Sequence, residues 1–444
     1  MNKDIFKSYD IRGLYPSELD GETVYRVARA TAEHFSLNTV AIGRDMRASS
    51  PSLLAELVRG FTESGVNVID LGLASTPMVY FASSRLSVDA GVALTASHNP
   101  GEYAGMKICL RDAVPVGLAT GLADIRDRTL EGDFSTAEKP GSVKEEDIKP
   151  EYLSHLASFL ELGEKKFTIA IDTANAMGIL ELPVFEQFED NLSLVRLYDD
   201  MDRAFTCHEA NPLKTETLDE LREKVKESGA DIGFAYDGDA DRIGFVDETG
   251  EVVPMDLMTA LIAREVLEKK PGATILYDLR SSRAVREVIE ESGGRAVECQ
   301  VGHANIKRMM REEKAVFAGE LSGHYYFEEN SMAEASTLAA IMPLNLMAET
   351  GKPLSELVAD IRRYHHSGEI NSEVEDKDAI LAALEDKYSD GEIGHLDGLK
   401  VDYADWWFNV RPSNTEPLLR LNLEAKTPEL LAEKQAELLA IIRG

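Results

Sequence analysis

A short polar corner occurs twice in this sequence, each time between an apolar run and an amphipathic stretch. The first copy is DMRASS at residues 45–50, and the second is DLRSS at residues 278–282. The apolar run before each copy predicts a β-strand, the stretch after it predicts a helix, and a further apolar run predicts another strand. The predicted strands are residues 39–42, 66–71, 273–277 and 296–301. The two segments are therefore predicted to be copies of one βαβ unit.

A third and more divergent copy begins at residues 167–172 and continues through Gly178. Repeated βαβ units form parallel strands with helices on both faces of the sheet, and their binding sites lie at the carboxyl ends of the strands. A chain of 444 residues is long enough for about two to four domains. We therefore expect an α/β protein with three related mixed α/β domains, built mainly on parallel sheets.

The C-terminal part follows a different pattern. Residues 406–410 and 418–425 predict strands on either side of a polar turn, and Thr427 with Pro428 predicts the start of a helix that runs to Ile442. This order of elements predicts a smaller α+β domain, and the charged residues before it, 369–387, predict the approach to a hinge. The expected domains are residues 1–143, 144–247, 248–360 and 361–444.

The balance of charges limits the classes of partner. The chain carries 47 Lys and Arg against 79 Asp and Glu, a net charge of −32. Nucleic acids and anionic membrane surfaces need a broad basic face, so neither is expected as the main partner, whereas a small anion needs only a few local cations. No run of about 18 apolar residues predicts a membrane span. Cys109, Cys207 and Cys299 lie outside any CxxC pair, which predicts reduced thiols in a soluble, cytoplasmic protein.

Four polar segments carry side chains that are suited to chemistry. The first, the serine loop, is TASHNP at residues 95–100, directly after a predicted strand at residues 90–94. This position suits Ser97 as an exposed nucleophile or phosphate carrier, with an ordinary polar turn as the alternative. A serine-hydrolase site is disfavoured, because no GxSxG elbow is present and adjacent Ser97 and His98 side chains point apart on an extended chain.

The second segment, the aspartate loop, is DGDADR at residues 237–242. Carboxylates at alternate positions, with small residues between them, can converge their oxygens on one hard cation. An EF-hand is the alternative, because Glu248 stands at the twelfth position counted from Asp237. However, Arg242 stands at the sixth position, where that loop needs Gly, and the flanking residues predict strands rather than helices. The pattern therefore favours a three-carboxylate Mg²⁺ site.

The third segment, the glutamate loop, is GELSGH at residues 319–324. Glu320, Ser322 and His324 offer an acceptor, a hydroxyl group and an imidazole, a set that suits a polyol such as a sugar. A hairpin or bulge with solvated polar residues is the alternative.

The fourth segment, the arginine loop, is RPSNTEP at residues 411–417. Arg411 can bind a phosphate with two parallel hydrogen bonds, and the hydroxyl and amide groups that follow can complete the site. An ordinary tight loop is the alternative. No Walker P-loop and no GxGxxG motif occurs, so a nucleotide cofactor has no support in the sequence.

Together, the four segments resemble the α-D-phosphohexomutases, and most closely their bacterial and archaeal phosphomannomutase/phosphoglucomutase branch. The resemblance extends from YDIRG at residues 9–13 to the arginine loop, so it covers essentially the whole chain. Members of that family have three related α/β domains and a smaller fourth domain, arranged around a central cleft. The resemblance therefore implies the same architecture that the repeat predicts.

The resemblance also implies a role for each segment. Ser97 is expected to be a phosphoserine, and Asp237, Asp239 and Asp241 are expected to hold Mg²⁺ together with an oxygen of that phosphate. The other residues with an implied catalytic role are Arg12, His98, Lys107, Arg242 and His303. The residues with an implied role in substrate binding are Tyr9, Lys307, Glu320, Ser322, His324, Arg411, Ser413, Asn414, Thr415 and Arg420.

The implied reaction interconverts the 1-phosphate and 6-phosphate of mannose or glucose, through phosphoserine and a hexose 1,6-bisphosphate. The sequence leaves the general acid and base open among Arg12, Lys107 and His303. Leu321, where glucosamine-type relatives usually have Gln, and the Gly302-His303 step favour mannose or glucose. The alternatives are a phosphoglucosamine mutase of the same fold and a calcium-binding protein that is not an enzyme.

Overall fold

The computed structural model describes residues 1–202, 206–412 and 418–444, and four β-sheets organise these residues. Three residues of the arginine loop with an expected role in substrate binding lie outside the described residues: Ser413, Asn414 and Thr415.

The first sheet has strand order β1-β5-β4-β2-β3-β7, and β6 pairs with β5. Its strands are β1 (Ile11–Leu14), β2 (Thr39–Arg44), β3 (Asn67–Leu73), β4 (Ala90–Leu94), β5 (Tyr103–Leu110), β6 (Val114–Pro115) and β7 (Val143–Glu145). The helices packed around it are α1 (Gly21–Phe35), α2 (Ser50–Glu63), α3 (Thr76–Arg85) and α4 (Leu122–Glu131).

The second and third sheets have strand orders β12-β11-β10-β8-β9 and β14-β13-β15-β16-β17. The second consists of β8 (Phe167–Asp172), β9 (Leu192–Leu197), β10 (Ile232–Tyr236), β11 (Ile243–Asp247) and β12 (Val252–Val253), with helices α5 (Lys149–Ala157), α6 (Leu182–Glu186) and α7 (Asp219–Ser228). The third consists of β13 (Thr274–Asp278), β14 (Arg295–Cys299), β15 (Phe317–Gly319), β16 (Tyr325–Phe327) and β17 (Ala333–Glu334), with helices α8 (Met255–Lys269), α9 (Arg283–Glu291), α10 (His303–Glu313), α11 (Ser336–Thr350) and α12 (Leu354–Ala359).

The first three sheets share one topology. In each, the first strand of a parallel core lies between the second and the third: β4-β2-β3, β10-β8-β9 and β15-β13-β14. A hairpin then adds an antiparallel strand to the third: β5, β11 and β16. The three related mixed α/β units are confirmed, and antiparallel strands, which the repeat does not predict, extend each parallel core.

The repeated corner is also visible in the hydrogen bonds. Asp45 accepts hydrogen bonds from the backbone N–H and the Nε of Arg47, at 3.1 and 2.9 Å. Asp278 does the same with Arg280, at 2.8 and 3.1 Å. Asp172, in the divergent copy, accepts from the backbone N–H of Ala174 at 2.8 Å. The three corners are therefore copies of one turn after the first strand, as the sequence predicts.

The fourth sheet has strand order β18-β23-β22-β21-β20, and β19 pairs with β23. Its elements are β18 (His365–His366), β19 (Ile370–Glu373), α13 (Lys377–Lys387), β20 (Glu392–Gly394), β21 (Leu399–Asp402), β22 (Trp406–Pro412), β23 (Leu418–Ala425) and α14 (Pro428–Arg443). Thr427 caps α14 as predicted, because its Oγ1 accepts a hydrogen bond of 3.2 Å from the N–H of Leu430. Residues 369–387, expected as a hinge approach, instead contain β19 and α13.

The first three units pack against each other, and the fourth has its own core. One cluster of buried side chains joins the three units, among them Phe81, Phe234 and Leu338, each at most 1% exposed. A separate cluster, which includes Phe408, fills the fourth unit. Cys109, Cys207 and Cys299 are all free thiols, as expected. Across the described ranges, no helix combines the length and apolar character needed to cross a membrane.

Candidate active site

Three corresponding turns of the repeated units meet at one place. The serine, aspartate and glutamate loops each follow the third strand of a parallel core, and each leads into the antiparallel strand that extends it. Each loop contains one residue in the left-handed region: Ser97 (φ 52°), Ala240 (φ 59°) and Gly323 (φ 84°). Because the loops occupy equivalent positions, the packing of three similar units brings their side chains together.

Arg47 holds the backbone of the serine loop in place. Its guanidinium donates hydrogen bonds to the backbone carbonyl of Ser97 at 2.8 Å and to those of Asn99 and Pro100, both at 2.6 Å. The side chain is 1% exposed, and the corner carboxylate of Asp45 holds it in place. The sequence prediction missed Arg47, although the repeated corner was the signal that could have identified it.

The hydroxyl group of Ser97 reaches the aspartate loop of the second unit. Its Oγ donates a hydrogen bond to Oδ2 of Asp237 at 2.9 Å and lies 3.3 Å from Nδ1 of His98. The expectation that Ser97 and His98 point apart is wrong, because the left-handed backbone of Ser97 turns the chain instead of extending it. Burial, Arg242 and Arg12 all lower the pKa of His98, so its imidazole is neutral.

The three carboxylates of the aspartate loop converge. Asp237, Asp239 and Asp241 are each at most 1% exposed, and one oxygen of each lies within 4.8 Å of the others. The ammonium group of Lys107, on β5, contacts Asp239 at 2.6 Å and also contacts Asp241. Thr76, which the sequence prediction missed, donates a hydrogen bond to Asp239 at 2.6 Å. The aspartate loop of the second unit therefore depends on side chains from the first.

The electrostatics of this cluster are strongly perturbed. Burial, together with the nearby Asp239 and Asp241, raises the pKa of Asp237 well above its ordinary value. Burial also opposes ionisation of Asp241, but Lys107 and His324 outweigh it and hold the pKa of that carboxyl well below its usual range. Burial likewise disfavours the charged form of Lys107, but the three carboxylates outweigh it and raise the pKa of its ammonium group. Additional positive charge would stabilise such a cluster.

A hard divalent cation fits the aspartate loop. One oxygen of Asp239 is buried and has no hydrogen-bond partner in residues 1–202, 206–412 or 418–444, and the buried Oδ1 of Asp241 has only the imidazole of His324 beside it, at 3.4 Å. Carboxylate oxygens are the ligands that Mg²⁺ and Ca²⁺ prefer. An EF-hand is excluded, because strands β10 and β11 flank the loop and Glu248 instead accepts a hydrogen bond from the N–H of Ser355 at 3.2 Å.

The glutamate loop presents an ionised carboxylate. Glu320 accepts hydrogen bonds from the N–H of Gly302 at 3.2 Å and from the hydroxyl group of Tyr326 at 3.0 Å. Burial opposes ionisation, but His324 and Arg280 outweigh it and lower the pKa of Glu320. Ser322 Oγ lies 2.7 Å from Nδ1 of His324, so both groups are beside the carboxylate.

His324 and Arg242 connect the glutamate loop to the aspartate loop. The imidazole of His324 has Glu320 at 3.0 Å on one side and Asp241 at 3.4 Å on the other. Burial and Arg242 lower the pKa of His324, but the two carboxylates outweigh them and raise it to about 9. The guanidinium of Arg242 lies 3.1 Å from the same ring and 4.0 Å from Asp237 and Asp241.

The N-terminal segment contributes Tyr9 and Arg12. The Tyr9 ring covers the backbone of Gly302, where a Cβ atom would lie 2.5 Å from the ring, and its edge meets the imidazole of His303 at 5.4 Å between ring centroids. Arg12 pairs with Asp10 at 2.5 Å and contacts the side chain of Asn99, beside Ser97. The structure therefore brings both expected residues to the cleft.

Lys307, which was expected to bind substrate, lies in a buried ion pair in the described part of the chain. Its side chain is 1% exposed, and its ammonium group pairs with the buried carboxylate of Glu334 at 2.9 Å. The ring of Tyr80, from the first unit, lies 4.1 Å from the same ammonium group. These contacts place Lys307 in the interface between the first and third units, where it supports the packing of Tyr80 and Glu334.

Two arginines of the fourth unit line a cavity beside Tyr9. A cavity of about 410 Å³ is lined by Tyr9, Arg411 and Arg420, among others. The carboxylate of Glu369 pairs with Arg411 at 2.8 Å and with Arg420 at 3.2 Å, and Arg280 lies 3.8 Å from it. The sequence prediction missed Glu369 and Arg280.

Comparison with known proteins agrees with this architecture. Models of the three alpha/beta/alpha domains and of the C-terminal domain of phosphoglucomutase/phosphomannomutase match residues 3–136, 150–250, 254–364 and 369–441. Phosphomannomutase of Methanocaldococcus jannaschii is 39% identical, with 99% of this chain and 97% of the relative covered. The phosphohexose mutases protein of Xanthomonas campestris is 37% identical, with both chains covered completely.

Among solved structures, a phosphoglucomutase/phosphomannomutase family protein of Burkholderia thailandensis superimposes with a TM-score of 0.92. It is 31% identical in sequence, and the match covers 100% of this chain and 98% of that one. The four domains match in order, the two relatives match over at least 97% of their length, and the serine, aspartate and glutamate loops meet at one place. The chain therefore belongs to the phosphoglucomutase/phosphomannomutase family and is an isomerase of the phosphohexomutase type.

Proposed function

We propose that this enzyme interconverts hexose 1-phosphate and hexose 6-phosphate through a phosphoryl group carried on Ser97. The observation that carries the proposal is the hydrogen bond of 2.9 Å between Ser97 Oγ and Asp237, within a buried cluster of three carboxylates and Lys107. In this reaction phospho-Ser97 transfers its phosphoryl group to the free hydroxyl group of the substrate. The hexose 1,6-bisphosphate then turns over in the cleft and returns its other phosphoryl group to Ser97.

Asp237, Asp239 and Asp241 are the proposed ligands of Mg²⁺, together with an oxygen of the phosphorylated Ser97. The ion supplies positive charge that offsets the roughly −1.5 to −2 charges of phosphoserine. Lys107 lies at the same carboxylates and keeps its proton, so it adds a fixed positive charge beside the serine loop. Phosphoryl transfer needs mainly positioning and charge stabilisation, which this arrangement provides.

Glu320 and Ser322 are the proposed ligands of the sugar hydroxyl groups, and His324 lies beside them. Glu320 is fixed by Gly302 and Tyr326, so its position does not depend on the substrate. The intermediate must bind in two orientations, and a carboxylate that accepts from two neighbouring hydroxyl groups can serve both. Arg411 and Arg420, together with Ser413, Asn414 and Thr415, are proposed to hold the phosphate that is not transferred.

His303 is the general base that we favour among the three candidates. Its ring lies 5.4 Å from that of Tyr9 and 6.5 Å from that of His324, at the glutamate loop, and burial with the positive charges of Lys307 and Lys107 lowers its pKa and keeps the imidazole neutral. Lys107 is held in its charged form, and an arginine such as Arg12 stays protonated. Arg12, His98 and Arg242 are therefore proposed to orient and stabilise the phosphoryl group.

Mannose and glucose phosphates are the proposed substrates. Leu321 stands in the glutamate loop where glucosamine-type relatives usually have Gln, and relatives covered over their full length are named phosphomannomutase. A coupled assay with mannose, glucose and glucosamine 1-phosphates, with Mg²⁺ and a hexose 1,6-bisphosphate activator, separates the candidates. We expect turnover of mannose or glucose phosphate, while exclusive turnover of glucosamine phosphate would favour the alternative.

The same assay tests the sugar ligand. Glu320→Gln removes a charged acceptor, so we expect kcat/KM to fall by about 10- to 100-fold. Glu216→Gln, at an exposed position, is the matched control and should retain wild-type activity. Equal activity of the two variants would remove Glu320 from the proposed site.

A further inference from the structure

Two arginines stand directly opposite each other in the fourth sheet. Arg411 of β22 and Arg420 of β23 are register partners in an antiparallel pair. Like charges in directly opposite positions destabilise a β-sheet, so this pair needs an anion between or beside its guanidinium groups. In the proposed reaction that anion is the substrate phosphate, but the enzyme must also fold and remain stable when no substrate is bound.

Glu369 supplies this anion within the chain. One carboxylate oxygen accepts a hydrogen bond from Arg411 at 2.8 Å, and the other accepts from Arg420 at 3.2 Å. Arg280 of the third unit lies 3.8 Å from the first of these oxygens. Burial opposes ionisation of Glu369, but Arg411, Arg280 and Arg420 outweigh it and lower its pKa. One carboxylate therefore serves three arginines from two units.

Glu369 lies on the short connection between β18 and β19 of the fourth unit. His366 of β18 lies beside the third unit, with a ring nitrogen 3.1 Å from the backbone carbonyl of Arg280. Gly368, with φ of 69°, turns the chain immediately before Glu369. The carboxylate thus reaches the arginines from this connection rather than from the strands that carry Arg411 and Arg420.

The arginine group remains accessible to a solute. The side chains of Glu369, Arg411 and Arg420 are 24%, 11% and 29% exposed, and both arginines line the cavity of about 410 Å³. The Nε atoms of Arg411 and Arg420 have no hydrogen-bond partner among the described residues. An entering phosphate therefore meets the exposed parts of the two guanidinium groups that Glu369 holds, while their buried Nε atoms are not spent on another partner in the described residues.

We propose that Glu369 is an internal counter-ion of the phosphate site, whose carboxylate holds the arginines until the substrate phosphate displaces it. The inference rests on the proposed function in assigning Arg411 and Arg420 to the phosphate that is not transferred. A phosphate dianion offers more charge and more acceptors than a carboxylate, so it displaces Glu369 from the arginines. Because the carboxylate competes with phosphate, it lowers the affinity of the site. A lower affinity allows a bisphosphate intermediate to dissociate from the arginines, turn over and bind again.

Glu369 is therefore a positioning residue that determines phosphate affinity, and we expect its replacement to increase that affinity. Glu369→Gln keeps the size of the side chain but removes its negative charge, so phosphate no longer competes with an internal anion. We expect inorganic phosphate to bind about threefold or more tightly to this variant than to the wild type. A residue that merely supports the fold would weaken phosphate binding when changed.

The test is isothermal titration calorimetry of the full-length protein with inorganic phosphate, without sugar and without Mg²⁺. Glu373→Gln, at an exposed position on β19, makes the same charge change and should leave the affinity at the wild-type value. Unchanged or weaker binding to Glu369→Gln, or tightening of equal size in both variants, overturns the proposal. Glu369→Asp keeps the charge, so it should bind phosphate less tightly than Glu369→Gln, and the reverse order also overturns it.

A thermal denaturation series keeps the proposal testable if Glu369→Gln is unstable. Without phosphate the variant should melt below the wild type, and phosphate should raise its midpoint by more than it raises that of the wild type. Equal shifts overturn the proposal. These measurements need no turnover, so they are independent of the activity assay. If Glu369→Gln binds phosphate more tightly but the wild type has no mutase activity, the counter-ion is supported and the proposed function is overturned. If the wild type is an active mutase but Glu369→Gln binds phosphate no more tightly, the proposed function is supported and the counter-ion is overturned.

Discussion

The residues of the cleft form a buried group of opposite charges inside a very acidic chain. The net charge of −32 belongs to the molecule as a whole, whereas Lys107, Arg242 and Arg411 are concentrated where phosphate is proposed to bind. Lys107 is the most deeply placed of these cations, because its side chain is only 6% exposed and it contacts two carboxylates. Buried charges of this kind are tolerated only in pairs.

Lys107→Met tests this pairing. The variant leaves Asp239 and Asp241 buried with less positive charge nearby, so we expect the free energy of unfolding to fall by about 3 kcal/mol in EDTA. Mg²⁺ should recover part of that loss, because it supplies charge to the same carboxylates. The measurement is urea denaturation in EDTA and in Mg²⁺. Lys144→Met, at a side chain that is 69% exposed, is the control; equal losses in the two variants would refute the pairing.

The residues that sequence motifs single out are those proposed to act through their own side-chain chemistry. Ser97, the three aspartates and Glu320 stand in short motifs whose composition indicates a reaction. Arg47 and Glu369 could not be found in this way, because one supports backbone carbonyls and the other meets arginines that are far away in sequence. Only the fold makes such contacts visible.

At the scale of the elements, one arrangement of strand, turn and strand occurs in each of the first three units and contributes a loop to the site. A parallel strand ends, a turn with one left-handed residue follows, and an antiparallel strand returns. In the first unit the returning strand is β5, which pairs with both β4 and β1 and carries Lys107. The close contact between these strands therefore positions the serine loop and Lys107 together.

Gly105→Ala tests that contact. A Cβ atom at Gly105 would lie 2.5 Å from the carbonyl oxygen of Ile11 and 2.8 Å from that of Thr95, and neither backbone atom can move freely. We expect the free energy of unfolding to fall by about 2 to 3 kcal/mol, measured by urea denaturation. Gly394→Ala is the control, because its nearest neighbour would be 3.9 Å away. A variant as stable as this control would show that the strands can separate.

The parallel cores could be predicted from the sequence, but their extensions could not. The predicted strands and corners of the first and third units coincide with β2, β3, β13 and β14 to within a few residues. Apolar runs such as 243–246 are equally compatible with parallel and antiparallel pairing, so periodicity did not reveal the hairpins. Residues 369–387 have a polar composition that resembles a linker, yet α13 needs to bury little more than Leu384 to join the fourth unit.

At the scale of the whole molecule, the first three units meet at a buried carboxylate below the aspartate loop. Glu181 of the second unit accepts hydrogen bonds from Ser75 of the first at 2.7 Å and from Thr337 of the third at 2.8 Å. Its side chain is fully buried. Burial raises the pKa of Glu181 to about 7, despite these two hydrogen bonds.

This junction predicts a dependence of stability on pH. The pKa of Glu181 is higher in the folded protein than the ordinary value of 4.5, so its contribution is complete below about pH 4.5 and is lost as the pH rises through about 7. Urea denaturation between pH 5 and pH 8.5 should show that the free energy of unfolding of the wild type decreases as the pH rises. Glu181→Gln should lack the part of this decrease that Glu181 causes. Between pH 5 and pH 8.5 we expect the free energy of unfolding of the wild type to fall by on the order of 3 kcal/mol more than that of Glu181→Gln. Parallel profiles would show that Glu181 does not change its protonation on unfolding.

Phosphorylation of Ser97 is the feature on which the other assignments depend. Purified protein is incubated with hexose 1,6-bisphosphate and Mg²⁺, and phosphate is located by mass spectrometry of the intact chain and of its peptides. We predict one phosphoryl group on Ser97 in the wild type, none in Ser97→Ala, and loss of mutase activity in that variant. An active wild type that never carries phosphate on Ser97, or a fully active Ser97→Ala variant, would contradict the proposed mechanism.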